Sequence, residues 1–251
     1  MSRKALKRAA RQAQKELQQE FYHGENSKVI QFSSYRKRKR DVIINARNDR
    51  QQDYLDRLFD DRIPIVLSVG PAGTGKTLLA VQAAIQRLKY RLIERIVITR
   101  PAVAVEEQHG FLPGSLEKKM EPWTRPIFDV FEEYWSPQQI KGMFDERTIE
   151  IAPLAFMRGR TFKNSWIIAD EMQNATPSQM KMVLTRMGEG SKVVITGDLN
   201  QHDRGFDENG LYDFIKLLKQ NKSSYIDAVT FEKVHVERHP AVKDVLSIYG
   251  E

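Results

Sequence analysis

The run Gly70-Pro71-Ala72-Gly73-Thr74-Gly75-Lys76-Thr77 fits the pattern G-x-x-x-x-G-K-[ST]. Before it stands Ile63-Pro64-Ile65-Val66-Leu67-Ser68-Val69, an apolar stretch that reads as a buried strand. After it, Leu78-Leu79-Ala80-Val81-Gln82-Ala83-Ala84-Ile85 reads as a helix. A strand, a Gly-rich loop and a helix in that order restrict the fold to α/β and give the loop a definite task. Glycines let the backbone approach phosphates closely, consecutive N–H groups turn inward, and the helix N-terminus adds its positive end. Lys76 is expected at the β- and γ-phosphates and the Thr77 hydroxyl on Mg²⁺. The expected nucleotide-binding set is Gly70, Pro71, Ala72, Gly73, Thr74, Gly75, Lys76, Thr77 and Leu78, with ATP and Mg²⁺ as ligands. A Gly-rich turn with a chance Lys-Thr pair is the competing reading, and the flanking strand and helix weigh against it.

Further apolar runs mark strands at Arg95-Ile96-Val97-Ile98-Thr99, Thr148 to Ile151, Trp166 to Ala169, Lys192 to Thr196 and Asp227 to Phe231. Helices are expected from Asn48 to Asp60, from Leu116 to Trp135 with interruptions near Pro122 and Pro126, and from about Pro240. Thr176 is a good N-cap and Pro177 a good first residue for another helix, which Gly188 would end after Met187. The rest of 102–147 reads as less regular. Alternating strands and helices imply a mostly parallel sheet covered on both faces, with ligands at the carboxyl ends of its strands. The expected architecture is a three-layer RecA-like P-loop NTPase core over 48–251, preceded by a basic N-terminal arm (helix plus linker) over 1–47.

Charge separates these two parts. Residues 1–50 carry 14 basic and 5 acidic side chains, whereas the remainder carries 26 basic and 28 acidic. The excess lies in an arm containing Arg36-Lys37-Arg38-Lys39-Arg40, which fits a polyanion such as single-stranded RNA or DNA. A solvated tail segment is the plainer alternative. Arg100, after the second strand, is a further candidate for nucleic-acid contact. The chain has no cysteine, so thiolate metal sites, disulfides and Cys nucleophiles are excluded and a reducing, cytoplasmic setting is the expectation. No run of 18 apolar residues offers a membrane span.

Trp166-Ile167-Ile168-Ala169-Asp170-Glu171 is an apolar strand ending in two carboxylates. After a P-loop this fits a Walker B element, with Asp170 on Mg²⁺ and Glu171 orienting or deprotonating the attacking water. Thr196-Gly197-Asp198-Leu199-Asn200-Gln201 ends the next strand, and Gln201 could bond the γ-phosphate or the water.

These segments, with Thr99-Arg100-Pro101-Ala102, Arg158-Gly159-Arg160-Thr161-Phe162, Asp170-Glu171-Met172-Gln173-Asn174 and Glu237-Arg238-His239-Pro240, resemble the PhoH-like family of P-loop ATPases over about residues 48–250. The resemblance implies a core similar to superfamily 1 helicases, ATP binding and hydrolysis, a cytoplasmic location, hexameric rings and RNA-directed activity. It places Gln51 near the adenine and Arg238 near the γ-phosphate. Arg158 and Arg160 become phosphate-sensing candidates within a subunit or across an interface. The leading expectation is a homo-oligomeric ATPase acting on single-stranded RNA or DNA, with helicase action as its finer form. An ATP-switched nucleic-acid-binding module and a small-molecule phosphotransferase are the alternatives.

Overall fold

The computed structural model describes residues 42–101, 116–201 and 209–249. The basic run 36–40 lies outside them. Six strands form one sheet: β1 (Ile65–Val69), β2 (Arg95–Thr99), β3 (Ile149–Ile151), β4 (Ser165–Ala169), β5 (Lys192–Gly197) and β6 (Ile226–Thr230). Their order is β3-β2-β4-β5-β1-β6, and every pairing is parallel. β1, β4 and β5 are buried along their whole length, because helices cover both faces. This is a RecA-like P-loop NTPase core. β5 stands between β1, which leads into the P-loop, and β4, which leads into Asp170 and Glu171. Three strand ends therefore open side by side onto one cleft.

The helices are α1 (Asp49–Phe59), α2 (Lys76–Lys89), α3 (Leu116–Tyr134), α4 (Pro137–Asp145), α5 (Leu154–Met157), α6 (Pro177–Leu184), α7 (Gly210–Gln220) and α8 (Pro240–Tyr249), with short 3₁₀ turns at Met172–Asn174 and Lys233–His235. One apolar core lies on the sheet face covered by α1, α2 and α3, with Tyr54, Leu58, Ile85, Phe131 and Trp166 at its centre. A second lies on the opposite face, with Met157, Met172, Met180, Val183 and Leu211. Residues before α1 belong with the first core: Val42 is buried in it, Ile44 and Ala46 pack against it, and Gln86 Nε2 donates to the Val42 carbonyl at 3.1 Å.

Three details differ from the sequence expectations. α3 runs unbroken through Pro122 and Pro126. Proline removes a helix hydrogen bond, but Ile127, Val130 and Phe131 recur at helical spacing and bury one face against the core, and Gln82 on α2 donates to Tyr134 Oη at 3.0 Å. Packing outweighs the two missing donors. α6 ends at Leu184 rather than Met187. Phe162 forms a parallel bridge with Met187 and accepts the Gly188 N–H, which draws the chain out of the helix early. α4 occupies a stretch read as irregular. Ser136 caps it, Pro137 opens it and Gln139 completes a capping box, the same pattern by which Thr176, Pro177 and Gln179 start α6.

Candidate nucleotide site

The P-loop leaves β1 and enters α2 through Gly75, which takes φ +84° as the residue capping the helix. An L side chain there would be strained, and a Cβ would lie 3.0 Å from Gln51 Nε2. The sequence thus places glycine where the loop backbone must turn against its neighbours. Gly73 takes φ +83°, and a Cβ on it would meet Arg238 Nε at 2.8 Å. Arg238 therefore stands directly against the loop, although 164 residues lie between it and Gly73.

Lys76 is buried and turned back on its own loop. Its Nζ donates to the Gly70 carbonyl at 2.5 Å, the Pro71 carbonyl at 2.7 Å and Thr74 Oγ1 at 3.3 Å. Burial pushes its ammonium below the usual lysine range, while Asp198, Glu171 and Asp170 pull the other way. Thr77 Oγ1 donates to Asp170 Oδ1 at 2.9 Å, and the Thr196 hydroxyl donates to the same oxygen. A hydroxyl and a carboxylate so close, with the loop N–H groups beside them, form a hard-oxygen pair that suits Mg²⁺. Among the described residues no group of three or more His, Cys, Asp or Glu could hold a metal by itself. That fits Mg²⁺, which is usually held by one or two protein groups and the substrate's phosphates.

Glu171 follows with left-handed backbone, φ +52°. Gln173 Nε2 donates to Glu171 Oε2 at 2.6 Å, and Gln173 Oε1 accepts the Asp198 N–H at 3.1 Å. The buried Gln173 amide thus ties the carboxylate after β4 to the turn after β5. Ala72, Gly73, Gly75, Lys76, Thr77, Leu78, Asp170, Glu171, Gly197, Asp198 and Gln201 all line one cleft of about 270 Å³. Gln201 is exposed at its rim, and its N–H bonds the Asp198 carbonyl.

A second cleft, of about 280 Å³, continues from the first through Gly73, Gly75 and Leu78. Ile43, Asn45, Arg47, Gln51, Gln82 and Glu237 supply its other walls. Gln51 accepts the Arg47 N–H at 2.8 Å and donates to the Thr74 carbonyl at 3.0 Å. A carboxamide has two N–H groups and two lone pairs, so each end of Gln51 keeps one for a ligand. The side chain of Asn48, the N-cap of α1, accepts the Gln51 N–H and donates to Glu237 Oε1 at 3.1 Å.

The remaining candidates lie apart from these clefts. Arg160 makes a two-armed pair with Glu150 on β3 and lies over the Phe162 ring, 4.5 Å from its centroid. Arg158 is exposed and has no hydrogen bond or ion pair among the described residues. Arg100 is half-buried beyond β2 and engaged within the chain. Gln173, Thr196, Asn48 and Glu237 had no role assigned from the sequence. Gln173, Thr196 and Glu237 sit inside or beside the quoted motifs, which was the one available signal.

A solved structure of a Sulfolobus solfataricus SWI2/SNF2 ATPase core in complex with double-stranded DNA aligns over 76% of this chain and 46% of its own, at 15% identity and a TM-score of 0.43. That score is too low to carry an argument. A PhoH-like protein of Synechocystis is 39% identical over 229 residues, covering 90% of this chain and 68% of the relative. One of Bacillus subtilis is 41% identical over 210 residues, covering 83% and 64%. Across the curated relatives matched, the chain spans 58–68% of their length. The model of the family described as PhoH-like protein matches residues 43–250. With both clefts and the Walker acids inside that span, the chain belongs to the PhoH-like family.

Proposed function

We propose that this chain is a Mg²⁺-dependent ATPase that works as a homo-oligomer, hexameric in its closed form, on single-stranded RNA or DNA in the cytoplasm. The observation that carries the hydrolytic part is the Glu171 carboxylate held by Gln173 in the same cleft as the P-loop. Such a carboxylate, fixed through one oxygen and free at the other, is fitted to take a proton from water. The water oxygen then bonds to the γ-phosphorus, the bond from γ-phosphorus to the bridging oxygen breaks, and the electron pair leaves on ADP. Lys76 leaves the Gly70 and Pro71 carbonyls to meet the phosphates. Thr77 and Asp170 would hold Mg²⁺, which supplies charge neutralisation between the β- and γ-phosphates. Gln201 orients the water or the γ-phosphate from the rim. Arg238, against Gly73, adds positive charge from within the subunit.

Arg158 is the candidate for action across a subunit interface, because it is exposed and unengaged among the described residues whereas Arg160 is held by Glu150. An arginine supplied from a neighbour adds about 10³–10⁵ in rate, and a head-to-tail contact that supplies it can close a ring. No described helix is long and apolar enough to cross a membrane. The basic run 36–40 supports the nucleic-acid part. Neutralising about five phosphates on a single strand gives a salt slope of about −3.5.

The test is ATP hydrolysis by the full chain and its Lys76→Ala variant, with and without single-stranded RNA and DNA, over a range of protein concentrations. Lys76-dependent turnover that rises with concentration and with one polymer is expected. Full activity at high dilution would remove the interface arginine. Indifference to both polymers, together with unchanged polymer binding after deletion of residues 1–40, would remove the nucleic-acid substrate.

A further inference from the structure

We infer that Glu237 recognises the ribose hydroxyls of the bound nucleotide and makes the site discriminate against analogues that lack the 2′ or the 3′ hydroxyl. This rests on the nucleotide reading of the two clefts and adds a sugar subsite to it.

Three placements lead there. The Glu237 N–H donates to the Gly73 carbonyl at 2.9 Å, which pins this residue to the middle of the P-loop. The next residue, Arg238, lies against Gly73, a residue shared by the phosphate cleft and the second cleft. Gln51 holds the Thr74 carbonyl and lines the second cleft together with Glu237. The group between a phosphate end and a base end of a nucleotide is its sugar.

The chemistry matches the placement. An ionised carboxylate only accepts hydrogen bonds, and the sugar offers two O–H donors at its 2′ and 3′ positions. Asn48 Nδ2 occupies Glu237 Oε1 and fixes the carboxylate, and Oε2 has no hydrogen-bond partner among the described residues. The Asn48 side-chain oxygen also accepts the Gln51 N–H. One side chain therefore sets the spacing between the residue facing the sugar and the residue facing the base. Ile43, 71% exposed, and Leu78, 39% exposed, are apolar residues on the walls of the same cleft, where a flat base would cover them. A site that spends a fixed charged acceptor on a substrate hydroxyl rejects the analogue lacking it, because the acceptor is then left unpaired.

The experiment is calorimetric titration of the full chain with Mg·ADP, Mg·2′-deoxy-ADP and Mg·3′-deoxy-ADP, repeated on Glu237→Leu and Glu237→Gln. Wild type should bind ADP about tenfold or more tighter than at least one deoxy analogue, the range for a hydrogen bond to a charged group. Glu237→Leu should bring that ratio close to one, and Glu237→Gln, which keeps an acceptor oxygen, should hold an intermediate value. The ratio is insensitive to general damage, since a distorted site weakens all three ligands alike. Equal wild-type affinity for the three, or full discrimination retained by Glu237→Leu, would overturn the inference while leaving the nucleotide site intact. Failure of wild type to bind any of them would overturn the nucleotide reading and this inference with it.

Discussion

Two lysines are buried at opposite ends of the same sheet, and each spends its ammonium group on oxygen atoms of the chain. Lys76, beyond the carboxyl end of β1, faces Gly70, Pro71 and Thr74. Lys192, at the amino end of β5, donates to the carbonyls of Arg57, Leu58 and Asp60 at 2.7–3.0 Å, closing the last turn of α1. Burial lowers both. Their neighbours separate them. Three carboxylates pull against the burial of Lys76, whereas at Lys192 the positive charge of Arg87 adds to burial and the weaker pull of Asp61 and Asp60 leaves it lowered to about 8. Lys76 lies in an open cleft on a loop of glycines whose carbonyls it can exchange for phosphate. Lys192 holds the carbonyls of Arg57 and Leu58 in the last turn of α1, where the helix supplies no donor of its own, together with that of Asp60, which also accepts the Ile63 N–H. A buried ammonium is thus a tool at one end and a cap at the other. What distinguishes them is whether their acceptors can be given up.

The sharpest way to break this comparison is Lys76→Ala. Hydrolysis should fall roughly thousandfold, the upper range for removing one transition-state donor, while the thermal midpoint stays within a degree or two of wild type. A collapse of the fold would make Lys76 a cap as well. Glu171→Gln should lower turnover roughly hundredfold with nucleotide affinity retained, in line with loss of a general base. Single-turnover kinetics would separate the two effects.

Lys192→Met should do the reverse of Lys76→Ala. The Arg57 and Leu58 carbonyls lose their donor while that of Asp60 keeps the Ile63 N–H, and stability should drop by about 2 kcal/mol, read from urea unfolding, with nucleotide affinity unchanged. Gln173→Leu should act between these extremes. Its two hydrogen bonds position Glu171, so kcat should fall about tenfold with little change in KM, a step set by one positioning contact.

The smallest effect is the pH dependence of Lys192. Between about 8 and the ordinary lysine value of 10.5, the unfolded chain holds a proton that the folded chain lacks. Stability from this group is therefore complete above that window and is lost as pH falls through about 8. Above about 10 the buried Tyr54 phenol, pushed up by burial, acts in the opposite sense. Urea midpoints at pH 7.5 and 9.5 should rise in wild type relative to Lys192→Met. Equal changes in the two proteins would show that Lys192 does not titrate there.

The four inner strands were legible as apolar runs, because a parallel sheet buried on both faces demands them, while the half-buried edge strands β3 and β6 carry Glu150 and Asp227 and gave a weaker signal. Helix ends were less so. Pro122 and Pro126 read as interruptions since their lost donors are local, whereas the packing of Ile127 and Phe131 that overrides them is tertiary. Ser136-Pro137 carried the same start signal as Thr176-Pro177, but α4 is short and buries only Ile140, so its periodicity was faint. In the site, residues expected to touch the nucleotide stood in motifs with fixed spacing. Of the residues that hold them, Gln173, Thr196 and Glu237 stood in or beside those motifs with no sign of their partners, and Asn48 stood in none. Gln173 reaches Asp198 across 25 positions and Asn48 reaches Glu237 across 189, distances at which sequence pattern says nothing about contact.

The backbone of Glu171 has a consequence for how this protein can be improved. At φ +52° it occupies a conformation that favours glycine, and a non-glycine residue there costs on the order of 1 kcal/mol. Glu171→Gly would relieve that strain but leave the buried Gln173 N–H without its partner, so the inactive variant should differ little in heat resistance from the active one. Selection for thermal robustness alone would therefore do nothing to keep the residue proposed to activate water. The fold tolerates Glu171 rather than requires it, and only selection for turnover would keep it there.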